Sequence, residues 1–565
     1  MKKQILLIVI IKLLLSVNSH AEESENNNIT NQSHDRNIRN STINKNTSNN
    51  DAINSEMAGT EENASNVSQD EKVTGFPIYE FRIKGNTLLN KTTIEAMVYR
   101  FLGTNKTIDD IEKVRALLEK AYKNQGYPAV AVSIPEQSTR NGIVTLKVVE
   151  GKIARVKVTG SKYHSLNAIK QKVPALTRGS VLYLPDVQKQ LNQLNQSSPD
   201  RKITPVLKPG RYPGTVEVEL KVKDNLPVHG DLEVNNRHTS TTSKSRLIGS
   251  VRYDNLYQKQ HSMGVSYQIS PENTDEVKVL SLTYIIPLGE QSDRLIFYGI
   301  DSNSNVSTLG NVTILGKGKI FGARLIKPLA GQSTYFKNLT MGFDFKDFED
   351  TQQTIGINSF FPLSYWSGLF SYDTSFFGKK NIYQYNGGLV FGLPLNTSQD
   401  EFNSKRAGSK PNFIYFKIDA SHKYTFGNKM EIRSRLDSQL ALSPLISNEQ
   451  FSIGGASTVR GYYESQVVDD SGLILSVELA SPSFYKSEDI NDFRGHVFFD
   501  YGKTWRQDPL PGESSGEDIY AIGTGLRFTG YQGVTAELDL ASALKENGEI
   551  KKDDIRWHLS LKYRF

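Results

Sequence analysis

The chain has 565 residues, no cysteine and a formal net charge of +6. Without cysteine there is no disulfide, no thiol nucleophile and no cysteine-ligated zinc. The charge is small for this length, and no basic run is interleaved with aromatics, which argues against a nucleic-acid surface. Mean hydropathy is −0.44, as expected where only alternate strand residues meet lipid.

Residues 1–21 read as a cleaved signal peptide. Lys2 and Lys3 precede the apolar run Ile5 to Leu15, and Ser19-His-Ala21 supplies small residues for cleavage. Lys12 interrupts the run, which is too short to span a bilayer as a helix. No later run is long and apolar enough for a transmembrane helix. Residues 22–75 are rich in Asn and Ser, and 22–72 hold no Phe, Tyr or Trp. Such a segment cannot bury enough apolar surface to offset its ordering entropy, so disorder is expected.

Residues 76–150 and 151–226 read as two copies of a βααββ unit. The first begins with a strand over Ile78–Ile83 and a helix over Thr92–Leu102. A second helix follows, capped by Thr107 with Asp110 three residues on. Its apolar stripe is Ile108, Ile111, Val114, Leu117, Leu118 and Ala121. Strands over Ala129–Ile134 and Ile143–Val149 close the unit around the turn Asn141-Gly142. The second copy runs Ile153–Val158, helices near Leu166–Val173 and Pro185–Asn195, then strands Ile203–Leu207 and Val216–Val222. The second strand of each unit, near Ala129–Ile134 and Ile203–Leu207, is the expected open edge for strand addition.

From residue 227 to 565 the pattern is all-β. Met263, Val265, Tyr267 and Ile269 alternate with Gly264, Ser266, Gln268 and Ser270, and Phe416 and Ile418 with Lys417 and Asp419. Ile432, Leu436 and Leu440 alternate with Glu431, Arg433, Arg435, Asp437 and Gln439. One apolar and one charged strand face fit a barrel with lipid outside and a hydrated lumen inside. At about 20 residues per strand, loops included, this region holds about 16 strands. The closing stretch is the clearest case. Trp557, Leu559, Leu561, Tyr563 and Phe565 share one parity, against His558, Ser560, Lys562 and Arg564. A strand ending on its aromatic member is the usual terminus of an outer-membrane barrel.

Signal peptide, two βααββ units and a barrel together resemble the outer-membrane transporters of two-partner secretion, the haemolysin secretion/activation (ShlB/FhaC/HecB) type within the BamA-like superfamily. Three motifs carry the resemblance. Gln125-Gly-Tyr-Pro128 resembles the helix-to-strand junction of the family's first POTRA domain. Val459-Arg-Gly-Tyr462 is similar to the family's signature on a barrel loop that folds back into the lumen. Phe498-Phe-Asp-Tyr-Gly502 is similar to the strand motif that receives that loop. Related transporters often carry an N-terminal plug helix, but residues 22–72 are poor in strong helix formers.

The last two motifs make physical sense as a pair. Val497, Phe499 and Tyr501 form an apolar parity that faces lipid, so Phe498, Asp500 and Gly502 face the lumen. A guanidinium matches a carboxylate as a fork of donors, which predicts an Arg460–Asp500 contact holding the loop inside the barrel.

The resemblance implies export of one large β-rich, β-helical partner protein to the cell surface or medium, with activation of a haemolysin- or adhesin-like cargo among its forms. It further implies POTRA domains in the periplasm, contact with outer-membrane lipid, barrel assembly machinery and periplasmic chaperones as partners, and a monomeric state. The residues 557–565 are expected to serve barrel assembly. No Gly-x-x-x-x-Gly-Lys-Ser/Thr loop, His-Glu-x-x-His or Gly-x-Ser-x-Gly occurs, so no catalytic residue, metal or cofactor is assigned. Three rivals stand: a barrel insertase of the same superfamily, which usually has three or more POTRA units; a nutrient porin, which leaves residues 76–226 without a task; and an outer-membrane enzyme with a triad assembled from distant strands.

Overall fold

The computed structural model describes residues 75–565, apart from 290–292, 305, 310–311, 333, 355–356, 489 and 531–532. The expected signal peptide, the Asn- and Ser-rich segment and the question of a plug helix lie outside the described residues.

The first unit contains β1 (Phe76–Ile78), β2 (Glu80–Lys84), α1 (Lys91–Val98), β3 (Gly103–Lys106), α2 (Ile108–Asn124), β4 (Val130–Ser133) and β5 (Ile143–Glu150). β5 lies at the centre of a three-stranded sheet, parallel to β2 and antiparallel to β4. The strand expected over Ile78–Ile83 is divided. β1 leaves to pair with β3, and at the break the N–H groups of Tyr79 and Glu80 donate to the Gly142 carbonyl at 2.7 and 3.2 Å. The first helix ends at Val98 and continues only as a 3₁₀ turn, Tyr99–Phe101, shorter than the expected span.

α2 begins where its cap predicts. The Asp110 carboxylate accepts the Thr107 N–H at 3.0 Å and its hydroxyl at 3.2 Å. That backbone hydrogen bond is the main reason the Asp110 carboxyl sits below the usual range. Ile111, Val114, Leu118 and Tyr122 are buried, whereas Ile108 is 68% exposed. At 100° per residue Ile108 falls well off the centre of the stripe those four define, which corrects its expected place in the core.

The second unit repeats the order with β6 (Lys152–Thr159), α3 (Leu166–Gln171), α4 (Leu184–Gln196), β7 (Arg201–Pro209) and β8 (Thr215–Asp224). β8 is central, with β6 parallel on one side and β7 antiparallel on the other. Ile153, Ile169, Val187, Leu191, Val218 and Leu220 form its core. The Gln125–Pro128 motif joins the two units. The Gly126 carbonyl accepts the Leu184 N–H at 2.9 Å, and the Tyr127 and Tyr183 rings pack 5.1 Å apart.

β4 and β7 are both edge strands, but part of each outward backbone edge is occupied. The Val132 N–H donates to Glu119 Oε1 at 3.0 Å. The Asn195 side chain takes the N–H of Ile203 at 2.8 Å and donates to its carbonyl at 3.0 Å. Pro205 and Pro209 remove two more donors from β7. Blunting of this kind discourages pairing with a further strand.

Sixteen antiparallel strands, from Val228–Asn235 to Ile555–Arg564, close into a barrel. The last pairs with the first, Leu561 opposite Val234 and Tyr563 opposite Leu232. Beyond it, Phe565 and Gly230 exchange backbone hydrogen bonds of 2.9 and 3.1 Å. Parity sets the two faces as expected. Met263, Val265, Tyr267, Phe416, Ile418, Leu440, Val497, Phe499 and Trp557 look outward, while Gln268, Glu431, Gln439, Asp500 and His558 are buried inside.

The second unit docks on the tight barrel turn Asn255–Gln260. Asn255, Tyr257, Gln258 and Gln260 all adopt left-handed backbone angles there, uncommon for non-glycine residues. The side chains of Asn255, Gln258 and Gln260 grip the unit. Gln258 Oε1 accepts the Ser165 N–H at 2.8 Å, and Asn255 Nδ2 donates to His164 Nδ1 at 3.0 Å. Beside them His229 Nε2 lies 3.0 Å from Asp200 Oδ2.

Candidate functional site in the barrel lumen

Between the barrel strands Glu431–Ala441 and Ser471–Ala480 the chain folds back into the lumen as a hairpin. Its base is the ribbon Phe451–Ile453 with Val467–Asp469. Asp469 accepts from Thr504 Oγ1 at 2.5 Å and from Arg506 Nε at 2.8 Å. The fully buried Asp470 forms a bidentate pair with Arg406. On the opposite wall the loop's Glu449 receives the Tyr415 hydroxyl at 2.7 Å and Lys346 Nζ at 2.5 Å. The hairpin is thus tied to several strands before its tip is reached.

The tip is Val459-Arg-Gly-Tyr462, all four residues buried. Arg460 donates from Nε to Asp500 Oδ2 at 2.7 Å, from Nη2 to Asp500 Oδ1 at 3.0 Å and from its backbone N–H to Asp500 Oδ2 at 3.2 Å. Nη1 reaches Asp539 Oδ2 at 3.1 Å. The guanidinium lies 3.3 Å from the centroid of the Phe498 ring, adding a cation–π contact in a desolvated site. Ser476 Oγ donates to Asp500 Oδ1 at 2.6 Å.

Neighbouring residues make room for this arrangement. Gly461 has φ +94°, and a Cβ there would meet the Ala521 and Ala541 methyls at 3.3 and 3.4 Å. Its N–H donates to His558 Nε2 at 3.1 Å. The Tyr462 hydroxyl donates to the carbonyls of Lys545 and Tyr520 at 2.7 and 3.1 Å. Gly502 takes Val459 against the wall, since a Cβ there would lie 2.8 Å from Val459 Cγ2. At Gly523 an added Cβ would stand 2.3 Å from the Phe498 ring, so the ring beneath Arg460 depends on that glycine.

The structure therefore brings together Val459, Arg460, Gly461, Tyr462, Phe498, Asp500 and Gly502. Sequence reasoning misses Asp539 and Ser476, and it places His558 on the polar face without a partner. Asp539 carries the signal of an acid between Leu538 and Leu540. Parity puts it in the lumen but does not say which cation it meets. Beneath the tip lies a cavity of about 590 Å³ whose wall carries Arg237, Lys423, Arg433, Arg435, Arg460 and Arg527 against the acids Glu478, Glu537 and Asp539.

Among the described residues two His–carboxylate clusters have atoms near metal-ligand spacing, Asp200/His229/Asp254 and His496/Glu537/Asp539. Both already hold cations. Arg252 Nε pairs with Asp254 at 3.1 Å, Arg527 with Glu537 at 2.6 Å and Arg460 with Asp539 at 3.1 Å. They read as ion-pair networks.

A closed sixteen-stranded barrel, POTRA-type units on its periplasmic side and a hairpin whose arginine tip is seated in the lumen define an outer-membrane transporter of two-partner secretion. Residues 214–528 match the haemolysin secretion/activation protein ShlB/FhaC/HecB family, and residues 76–151 match the ShlB-type POTRA domain. The chain belongs to the haemolysin secretion/activation (ShlB/FhaC/HecB) family.

Among named relatives, the heme/hemopexin transporter protein HuxB of Haemophilus influenzae strain 86-028NP is 18% identical over 491 residues, 84% of each chain. The outer membrane transporter CdiB of Escherichia coli is 21% identical over 468 residues, covering 80% of this chain and 75% of the relative. Among solved structures, CdiB from Escherichia coli superposes with a TM-score of 0.56 at 18% identity, over 89% of this chain and 93% of that one. BamA from Haemophilus ducreyi lacking POTRA domains 1–3 gives 0.54 at 13% identity, over 87% of this chain and all of that one. Both share the fold. The family has a secreted partner protein.

Proposed function

We propose that this transporter takes one large, β-helical partner from the periplasm and passes it, unfolded, through the barrel to the cell surface or medium. The POTRA units receive extended segments of that partner by strand addition, the main chain giving affinity and side-chain pockets giving choice. Without a nucleotide-binding loop in the chain, the driving force is the cargo's own folding once it emerges. The observation that carries this reading is the hairpin tip held in the bore by Arg460 on Asp500. It is seated by buried ion pairs whose loss would free it without dismantling a wall strand. The hairpin shifts or guides as the chain passes.

Barrel assembly machinery reads the alternation of Trp557, Leu559, Leu561, Tyr563 and Phe565, periplasmic chaperones deliver the chain, and the transporter acts as a monomer in lipid. The test is a secretion assay with a large secreted β-rich candidate cargo, co-expressed in a host lacking other transporters of the class. Cargo should appear outside only when the transporter is present, and Arg460→Ala or Asp500→Ala should lower its yield. Restored assembly of other membrane barrels without cargo export would favour an insertase instead.

A further inference from the structure

The remaining edge of the second POTRA unit differs from β4 and β7. At its start β6 is covered: the Ile153 N–H donates to the Ser180 carbonyl at 2.9 Å, and the Gly179 N–H to the Ile153 carbonyl at 2.7 Å. Past that point, among the described residues, nothing bonds to the Ala154–Val158 backbone on the side away from β8. The edge borders a cavity of about 310 Å³ between β6 and the α3 region. Its apolar floor is Val156, Val173, Leu176 and Leu220.

The rim is cationic. Arg155, Lys170 and Arg178 line the cavity, and Lys157 shares with Arg155 the exposed face of β6. Among the described residues none of these four forms an ion pair. The acids nearest in register on β8 are Glu217 and Glu219. Glu219 is engaged by Lys208 Nζ at 2.6 Å and Thr159 Oγ1 at 3.0 Å.

We propose that the open edge of β6 binds an extended segment of the secreted partner in which apolar residues alternate with acidic ones. Resting on the export reading above, this assigns the docking strand and the chemistry it selects. A strand laid along Ala154–Val158 places alternate side chains toward the apolar cavity and the others beside Arg155 and Lys157. Opposite charges directly across a strand pair attract and like charges repel. A Val-Glu alternation satisfies both faces, and a Val-Lys alternation satisfies only one. Of the two edges of the second unit, β7 is partly blocked by Asn195, Pro205 and Pro209 and β6 is open, which makes β6 that unit's docking edge.

The test uses the full chain in detergent and two fluorescent octapeptides, alternating Val-Glu and alternating Val-Lys. The acidic peptide should bind at least about tenfold more tightly than the basic one, and Arg155→Glu with Lys157→Glu should reverse that preference. Equal binding of the two peptides, or a preference unchanged by the double charge reversal, overturns the proposal. A second measurement is independent of that variant's folding. The chain has no cysteine, so Lys157→Cys supplies a unique thiol for disulfide capture of a cysteine-bearing Val-Glu peptide. Capture should exceed that by Lys208→Cys on β7, and the opposite order would sink the assignment. In cells, the charge-reversed protein should export its cargo several-fold less well than wild type. Full export by that variant would count against the β6 site alone, whereas no export by wild type would count against the export reading itself.

Discussion

Arg460→Ala tests whether buried electrostatics seat the hairpin. The substitution removes the 2.7 and 3.0 Å bonds to Asp500, the 3.1 Å bond to Asp539 and the stacking over Phe498. Asp500, with no exposed side-chain surface, then lacks a counter-ion. Breaking one side of a buried ion pair costs about 3–5 kcal/mol. Asp500 keeps the Ser476 hydroxyl at 2.6 Å and the backbone N–H of residue 460 at 3.2 Å, so the lower end, about 3 kcal/mol, applies. At about 1.4 kcal/mol per decade, the unseated population should rise roughly 100-fold.

A cysteine at the fully buried Val459, unique in this cysteine-free chain, reports unseating through its maleimide labelling rate in intact cells. Labelling should accelerate strongly when Arg460→Ala is added to Val459→Cys. The barrel's heat-modifiable mobility on gels should be unchanged. Adding Asp500→Ala should cost less than the sum of the single changes, because the stranded carboxylate is gone. Unchanged labelling, or strict additivity, would refute the view that this pair seats the loop.

Other outcomes follow from nearby geometry. Gly523→Ala places a methyl 2.3 Å from both the Phe498 ring and the Leu540 carbonyl of the neighbouring strand, so with heat-modifiable mobility retained it should displace that ring and accelerate Val459→Cys labelling, while an alanine at Gly427, with open space around it, should not. The cavity wall of Lys423, Arg433, Arg435 and Arg527 should make residual conductance anion-preferring in planar bilayers. Replacing Lys423 and Arg435 by Gln should reduce that preference as read from the reversal potential in a salt gradient.

The POTRA–barrel junction should loosen in acid. His164 Nδ1 faces two donors, Asn255 Nδ2 at 3.0 Å and Arg201 Nη1 at 3.5 Å, and must be unprotonated there to accept. Burial, then Arg201, holds its pKa below the ordinary imidazole value, against weaker opposition from Asp224 and Asp200. A base with a depressed folded pKa contributes stability that is fully present above its unfolded pKa, near 6.5, and lost as pH falls toward the folded one. The amide protection factors around Ser165 and Gln258, exchange normalised to the intrinsic base-catalysed rate, should therefore fall below about pH 6 in wild type. They should lose that pH dependence in His164→Gln, and equal dependence in both proteins would contradict the assignment.

Much of this molecule is legible along the chain because strand parity is a local property. Alternation places Met263, Val265 and Tyr267 outside and Asp500 inside, and the cap at Thr107–Asp110 starts α2 where expected. The pairing of Arg460 with Asp500 is legible because a lumen-facing acid and a glycine-flanked arginine stand as complementary motifs. Other features depend on which residues of distant strands come opposite one another. Ser476 meets Asp500 through the register of their two strands. Asp539 and His558 reach the tip only because the barrel closes and brings the last strands around the hairpin. The blunting of β4 and β7 depends on side chains of the packed helices, Glu119 and Asn195, reaching across to strand backbones. Alternation fixes the face a residue occupies, whereas its partner across the lumen is set by register and closure, which are properties of the assembled barrel.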